Sequence, residues 1–226
     1  MTTLDWIAVA VFAVFWLGYE PILERMARRG AITLHMRRLR QQWMRAMVSR
    51  QSGLTDANLL GHTLNSASFF ASSNLILIAA VAGALFGGGR AVIRVLPHVP
   101  GVEPSHLLKI KLALVTACLV RGLLDLIWSI RQLNYCLALV GGAHEGLKPD
   151  RREAYAGAVA DVLNPALNAF SHGVRAYYFA LAAGAWLFGP WALMATALGA
   201  FTLLVWRQSA SPAARAIARA RALLED

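Results

Sequence analysis

Residues 4–23, LDWIAVAVFAVFWLGYEPIL, form an almost charge-free run near the start of a chain of 226 residues. The hydrocarbon core of a bilayer is about 30 Å thick, and about twenty apolar residues of helix are needed to cross it. This run has that length, whereas the segment after it carries eight arginines between Arg25 and Arg50 and cannot lie in hydrocarbon. The sequence therefore predicts an integral membrane protein. Asp5 stands where a signal peptide would carry basic residues, so the first helix is predicted to be a retained anchor.

The composition agrees with this class. Hydrophobic residues make up 58% of the chain and charged residues 15%, against about 45–50% and about 25% in soluble domains. The net charge of +10 comes from basic residues beside apolar runs, which favours anionic lipid headgroups over nucleic acid as the partner. Cys118 and Cys136 lie about 27 Å apart on one predicted helix, which is too far for a disulfide.

Further apolar runs predict the fold class, an all-α polytopic membrane helix bundle that forms one domain, 1–226. Two amphipathic segments are predicted to be interfacial helices. One is a basic helix at 34–50, whose apolar face is expected to lie on the membrane or against its own bundle. The other is a C-terminal helix at 212–224 that Ser211 caps. The five predicted membrane helices cover residues 4–23, 64–86, 107–140, 168–188 and 190–206.

The region 174–206 is predicted to be a hairpin because Gly189 and Pro190 interrupt it, and proline lacks the amide donor of a continuous helix. A hairpin places the first arginine-rich loop, the 141–175 connection and the C-terminal tail on one side. The positive-inside rule assigns that side to the cytoplasm. The predicted location is the cytoplasmic (inner) membrane, with the N-terminus outside and the C-terminus inside. The predicted interfacial anchors are Trp186, Trp191 and Trp206.

The third predicted membrane helix, 107–140, carries charged groups near the middle of the bilayer, where they are energetically costly. Arg121 and Asp125 are spaced i, i+4 near the expected midplane and can pair on their own helix. A charge in the bilayer core costs about 2.5 kcal/mol or more and must face a partner or water. Two interpretations stay open: a neutralised pair that fixes the rotation of the helix, or part of a permeation or proton path.

A second polar stripe leads into span four, where Asn168, His172 and Arg175 share one helical face. Above the membrane surface, such a stripe would be a helix face in contact with water. Here the stripe continues toward the bilayer, where that interpretation is weaker. Arg131 and Arg175 are expected to meet in one inner vestibule if the two helices pack side by side. The candidate transport path or ligand site therefore consists of Arg121, Asp125, Arg131, Gln132, Asn134, Asn168, His172 and Arg175.

Span two carries small and polar residues that favour close helix packing. Small residues allow helices to approach each other, and hydroxyl and amide side chains form hydrogen bonds across the contact. The predicted packing residues are Ser72, Asn74, Gly83 and Gly87.

The motifs of known catalytic and metal sites are missing from the sequence. The six histidines contain no HxxxH pair, and GxSxG, HExxH and phosphate-binding glycine loops do not occur. No catalytic residue, metal site or cofactor is predicted. A haem or metal held by residues from different helices remains an open alternative.

Three stretches resemble a known family. They are NSASFFASSNLILI at 65–78, WSIRQLNY at 128–135 and RAYYF at 175–179. Together they are similar to the membrane proteins grouped as domain of unknown function number five-nine-nine, and the resemblance extends over most of the chain. It implies a multi-span membrane protein and implies no activity.

The polar residues predict a channel or transporter for an anion or an anionic metabolite. Positive and amide side chains can replace the hydration shell of an anion, and arginine stays charged when it is desolvated. One alternative is a non-catalytic accessory subunit of a larger membrane complex that binds lipid and partner helices. Another is a quinone- or haem-binding redox protein. A homo-oligomer or a larger complex is expected.

Overall fold

The computed structural model describes residues 1–27, 32–50, 52–87, 90–95, 106–143 and 147–225, and these residues form helices without any strand. The predicted all-helical class is confirmed. A 3-10 turn, Ala185–Phe188, lies between the sixth and seventh α-helices. The α-helices are α1 (Thr3–Ala27), α2 (Ile32–Ser49), α3 (Leu54–Phe86), α4 (Arg90–Val95), α5 (His106–Gly142), α6 (Pro149–Gly184), α7 (Pro190–Ser209) and α8 (Pro212–Glu225).

Three helical stretches of the described chain are long and apolar enough to cross a membrane. They are Thr3–Ile22, Leu54–Phe86 and Pro190–Leu223, and the last includes both α7 and α8. Length and apolar composition together suit a bilayer, because a helix satisfies its own backbone hydrogen bonds there. The count of five spans stays a prediction.

α6 lies at the centre of the bundle, and side-chain contacts show how the other helices run against it. Ser129 on α5 donates a hydrogen bond to the Ala166 carbonyl (2.8 Å), and Tyr155 on α6 donates to the Leu139 carbonyl (2.7 Å). A later residue of α5 thus contacts an earlier residue of α6. The two helices are therefore antiparallel. α2 and α7 also pack against α6, and α1 contacts it through Phe12 and Tyr19, whose rings lie near that of Phe179.

The contacts define two ends of the bundle. At the N-terminal end, Asp5 accepts a hydrogen bond from Trp186 Nε1 at 3.1 Å. At the arginine-rich end, Arg45 forms an ion pair with Glu153 at 2.6 Å, and Arg221 lies 3.2 Å from His35. α2 and α8 therefore lie at the same end as the α5–α6 connection.

The buried residues form two hydrophobic cores along the bundle axis. The first core lies toward the N-terminal end and joins α1, α5, α6 and α7. The second lies toward the arginine-rich end and joins α2, α3, α5 and α6. Met44 and Met47 are buried in the second core. The basic helix predicted at 34–50 is therefore packed against the bundle and does not lie alone on a surface.

Gly189 makes the predicted turn between α6 and α7. Its φ of 115° lies in the left-handed region that favours glycine, and α7 begins at the next residue, Pro190. Thr196 Oγ1 donates to the Ala182 carbonyl at 3.2 Å, which shows that α7 folds back along α6. The predicted reversal of the chain at Gly189 is confirmed, and the crossing of a membrane by both arms stays a prediction.

The tryptophans around this turn differ from the prediction. Trp191 is 71% exposed, as an interfacial anchor would be, and Trp206 is 50% exposed. Trp186 is 1% exposed, and its indole bonds to Asp5. The anchor role predicted for Trp186 is therefore wrong, because the 3-10 turn rotates this side chain into the first core.

Two helices are longer than the predicted spans. α3 begins at Leu54, ten residues before the predicted start at 64, and α6 begins at Pro149. α6 continues through Pro165, although this residue donates no hydrogen bond. The bounds differ because apolar runs mark the part of a helix that suits a bilayer and not its full length. α8 begins after Ser211, whose hydroxyl accepts a hydrogen bond from Ala214 N at 3.1 Å, as predicted.

α5 and α6 cross closely at two glycines. A Cβ on Gly122 would lie 2.6 Å from the Ala176 Cβ, and a Cβ on Gly173 would lie 2.5 Å from Leu126 Cγ. Asn74 of α3 is fully buried beside this crossing, where its Nδ2 donates to the Leu119 carbonyl at 2.9 Å. Three helices therefore meet at one level of the bundle.

The other predicted packing residues lie elsewhere. Gly87 caps α3 through its backbone N–H, which donates to the Gly83 carbonyl at 2.9 Å. A Cβ on Gly83 would meet no described atom within 4 Å, and Ser72 is exposed. The close contact of this fold is made by Gly122 and Gly173, which the sequence analysis did not single out.

Candidate functional site

A charged pocket lies between α1 and α5, with α6 as its floor. Its volume is about 170 Å³. α1 contributes aromatic and apolar side chains on one wall, and α5 contributes two charged side chains on the other. The lining residues are Trp16, Leu17, Tyr19, Glu20, Arg121, Asp125, His172, Arg175, Ala176 and Phe179.

The ionisable groups of the pocket form one network across three helices. Arg121 Nε lies 3.1 Å from Asp125 Oδ2, one turn along α5. Arg121 Nη2 also lies 3.8 Å from Glu20 Oε1 on α1, and His172 Nδ1 lies 3.2 Å from the same oxygen. Glu20 therefore joins α1 to both α5 and α6.

Arg175 differs from Arg121 in its partners. No carboxylate of the described residues lies within ion-pair distance of Arg175. Its guanidinium carbon instead lies 5.4 Å from the centre of the Tyr19 ring, and its Nη1 is buried without a hydrogen-bond partner in the described part of the chain. The Tyr19 hydroxyl is also buried and unpartnered, and the residue is 2% exposed. Two buried hydrogen-bond donors without a described partner therefore belong to residues that line one pocket.

Helix geometry gives the depth of the pocket along the bundle. Glu20 follows Asp5 by fifteen residues on α1, and His172 precedes Trp186 by fourteen on the continuous helical path through α6. With a rise of 1.5 Å per residue, the pocket lies about 21 Å from the N-terminal end of the bundle. This distance is less than the hydrocarbon thickness of about 30 Å.

The structure brings together four of the eight predicted site residues. Arg121, Asp125, His172 and Arg175 line the pocket. Arg131 does not line it. Its Nε donates to the Tyr135 hydroxyl at 2.6 Å on the exposed face of α5.

The predicted vestibule of Arg131 and Arg175 is wrong for this packing. Gly122 lies opposite Gly173, which puts Arg175 level with about residue 120 of α5. Arg131 is eleven residues further on, and the backbone positions of the two arginines therefore lie roughly 16 Å apart along the axis. The shared vestibule required the two arginines to be level, and the register in which α5 and α6 pack separates them.

The other three candidates also lie outside the pocket. Asn134 is exposed and donates to the Ile130 carbonyl at 3.0 Å. Gln132 is 7% exposed, and its Oε1 has no partner among the described groups. Asn168 is half-buried on α6.

Two residues of the pocket, Glu20 and Tyr19, were not predicted from the sequence. Glu20 is the one acidic residue within the first apolar run after Asp5, and that isolation was a usable indication. Tyr19 gave no comparable indication, because a tyrosine in a membrane helix is ordinary. Its role in the pocket depends on the packing of α1 against α6, where its ring lies 6.2 Å from that of Phe179.

A second polar site lies at the arginine-rich end. Asp56 is fully buried at the start of α3, where one carboxylate oxygen accepts a hydrogen bond from Trp43 Nε1 at 2.7 Å and pairs with Arg50. Arg40 of α2 donates to Asn164 of α6 at 3.4 Å. Burial lowers the pKa of Arg40 to about 10, and the like charge of a neighbouring arginine adds to the effect. These contacts attach α2 to the bundle. An open pocket beside them is lined by Trp43, Arg50, Thr55, Leu59 and Thr63.

The described residues contain no group of three His, Cys, Asp or Glu side chains that could hold a metal ion. Cys118 and Cys136 are both buried thiols on α5.

The fold and the pocket together define an all-helical bundle whose apolar helices suit a membrane and whose charged groups converge between helices. The chain belongs to the family described as Protein of unknown function, DUF599, whose model matches residues 7–213. This match covers the three stretches that carried the resemblance. No curated protein and no solved structure matches the chain.

Proposed function

We propose that the protein is a membrane transporter for a small anion and that the charged pocket is its binding site. The observation that carries this proposal is the pair of unpartnered donors, Arg175 Nη1 and the Tyr19 hydroxyl, in one pocket. A buried donor without a partner costs about 1–3 kcal/mol, more when it is charged. A carboxylate or phosphate oxygen would satisfy both donors.

The size of the pocket limits the ligand. An apolar cavity of about 150 Å³ holds one benzene molecule. The pocket has about 170 Å³, which suits an anion of about three to six heavy atoms, such as a short carboxylate. Trp16, Leu17 and Phe179 can contact the apolar part of such an ion. The ligand class is therefore a small organic anion.

The position of the pocket favours transport over catalysis. The pocket lies between helices and not in a connection, and the Arg121 and Glu20 side chains are about half exposed at its mouth. Charged groups at membrane depth must face water or a partner. A site reached by water within a bilayer is what a carrier needs.

Uptake into reconstituted vesicles tests the proposal. Proteoliposomes are loaded with buffer and given radiolabelled pyruvate, phosphate or chloride. Arg175→Gln should reduce uptake of the transported anion by about tenfold to one hundredfold, because it removes a charge-assisted hydrogen bond of about 1.5–3 kcal/mol. Tyr19→Phe should reduce it by a few fold.

The chain offers a matched control for these two variants. Arg207 and Tyr178 form the same kind of pair on the exposed surface, with the guanidinium 5.8 Å from the ring and a hydrogen bond of 2.6 Å. Arg207→Gln and Tyr178→Phe should leave uptake within about twofold of the wild type. An equal loss in both sets, or no protein-dependent uptake of any of the three anions, would overturn the proposal.

We also propose anionic lipid headgroups as partners of the arginine-rich end, in the cytoplasmic leaflet with the N-terminus outside. Arg37 and Arg38 on α2 and Arg215 and Arg219 on α8 are exposed there. Each basic residue near an anionic surface contributes about 1 kcal/mol of attraction. A homo-oligomer or a larger complex is proposed on the exposed apolar face of α3, where Leu75, Ile76 and Leu77 are accessible.

A further inference from the structure

We propose that the pocket takes up one proton with each anion and that His172 receives this proton, which makes the protein a proton-coupled anion carrier. This inference rests on the proposed function, because it concerns the same pocket. It assigns the second transported species, a proton, and names the side chain that holds it.

The formal charges of the pocket carry the inference. The ionised groups that line it are two carboxylates, Glu20 and Asp125, and two guanidinium groups, Arg121 and Arg175. Their charges cancel when His172 is neutral. A bound monoanion then leaves the pocket with a charge of −1 at a partly buried site, where an uncompensated charge is solvated less well than in bulk water. A proton on His172 restores neutrality.

His172 is the group placed to receive the proton. Its unperturbed titration range lies near physiological pH, unlike that of the other side chains around it. The groups that face it are Glu20 and Tyr19 from α1, Arg121 and Asp125 from α5, and Arg175 from α6. Of these, the carboxylates favour its protonated form and the arginines oppose it. A bound anion adds one negative charge and shifts this balance toward protonation.

The geometry also identifies the nitrogen that takes up the proton. Nδ1 lies 3.2 Å from Glu20 Oε1, so Nδ1 carries the hydrogen of the neutral ring and donates it to the carboxylate. The added proton binds Nε2. The cationic ring keeps its hydrogen bond to Glu20, and therefore α1 and α6 stay joined in both protonation states.

Calorimetry of pyruvate binding tests the inference. Pyruvate is titrated into the full-length protein in detergent at pH 7.5, in buffers of different ionisation enthalpy such as HEPES and Tris. The slope of the observed enthalpy against the buffer enthalpy equals the number of protons taken up. The expected slope for the wild type is close to one. Above the pH at which free His172 loses its proton, affinity should fall by about tenfold per pH unit.

Two variants assign the proton to this network. His172→Gln should still bind pyruvate, more weakly, with a slope near zero. Glu20→Gln leaves the empty pocket with a charge of +1, so pyruvate binding no longer needs a proton. The enthalpy slope of this variant should be near zero, and its affinity for pyruvate should not fall at high pH. His62→Gln is the matched control, because His62 is exposed on α3 away from the pocket, and it should keep the wild-type slope.

The outcomes separate this inference from the proposed function. Pyruvate binding with a slope of zero in the wild type overturns the proton coupling and leaves the anion site standing. A slope that stays near one in His172→Gln overturns the assignment to His172. The absence of binding of pyruvate, phosphate and chloride overturns the anion site and the coupling together.

Discussion

Arg175 and Arg207 show how burial changes the role of one side chain. Both guanidinium groups lie over a tyrosine ring, at 5.4 Å and 5.8 Å. Arg207 also donates to its tyrosine hydroxyl and is exposed, so water satisfies its remaining donors. Arg175 keeps one buried donor without a partner. The same pair of residue types therefore forms a surface contact at Arg207 and an incomplete binding site at Arg175.

Asp56 gives a prediction at this scale. Asp56→Ala should lower the free energy of unfolding by about 2–3 kcal/mol, because it removes the buried partner of Trp43 and Arg50. Chemical unfolding in mild detergent, followed by tryptophan fluorescence, measures the change. Glu153→Ala is the control. Its ion pair with Arg45 has both side chains more than half exposed, and its loss should cost under about 1 kcal/mol. Equal losses would contradict a structural role for the burial of Asp56.

Four of the ten residues that line the candidate site were predictable from residue spacing, and the reason is geometric. Arg121 with Asp125, and His172 with Arg175, are neighbours on one helix face, and their spacing alone brings each pair together. Glu20 meets Arg121 and His172 only because α1 packs beside α6, and spacing along one helix carries no such information. The error over Arg131 has the same origin, since the level of two residues on different helices depends on the register of packing.

At the scale of helices, α5 and α6 cross closely at Gly122 and Gly173. Gly122→Ala should destabilise the bundle by about 1–3 kcal/mol, because the new Cβ would lie 2.6 Å from the Ala176 Cβ and 3.2 Å from the Gly173 carbonyl oxygen. The unfolding midpoint in detergent is the measurement.

Gly83→Ala provides the comparison for this variant. An added Cβ at Gly83 meets no described atom within 4 Å, and alanine favours a helix interior over glycine by up to about 1 kcal/mol. The variant should therefore be neutral or slightly more stable as a monomer. A loss of oligomer in Gly83→Ile, with the monomer intact, would support the packing role predicted for this residue. A loss of monomer stability equal to that of Gly122→Ala would contradict the assignment of the close contact to α5 and α6.

The helices themselves were predictable to different degrees. α1 and the hairpin at Gly189 follow from an uninterrupted apolar run and from a glycine–proline pair, which are local features. The start of α3 at Leu54 and of α6 at Pro149 was not predictable from hydropathy. These polar helical turns are stabilised by the second core, which depends on contacts between distant parts of the chain.

At the scale of the whole molecule, the arrangement of the two ends makes a prediction about topology. The described contacts put α2, α8 and the α5–α6 connection at one end of the bundle. Alkaline phosphatase fused after Asp226 should be inactive in a bacterial host, because the positive-inside rule puts that end in the cytoplasm. A fusion after Phe86, at the opposite end, should be active. An active C-terminal fusion would reverse the proposed orientation.

The first core contains residues from distant parts of the chain, and this determines how late in synthesis α1 can form its contacts. The described aromatic partners of α1 from other helices are Phe179 and Phe201, which the ribosome adds more than 150 residues after α1. Most of the second core comes from residues 44–166 and can assemble before α7 is made. Until α6 and α7 are made, α1 has only earlier helices, such as α2 and α5, as partners. Glu20 gains Arg121 when α5 is made and His172 only when α6 follows.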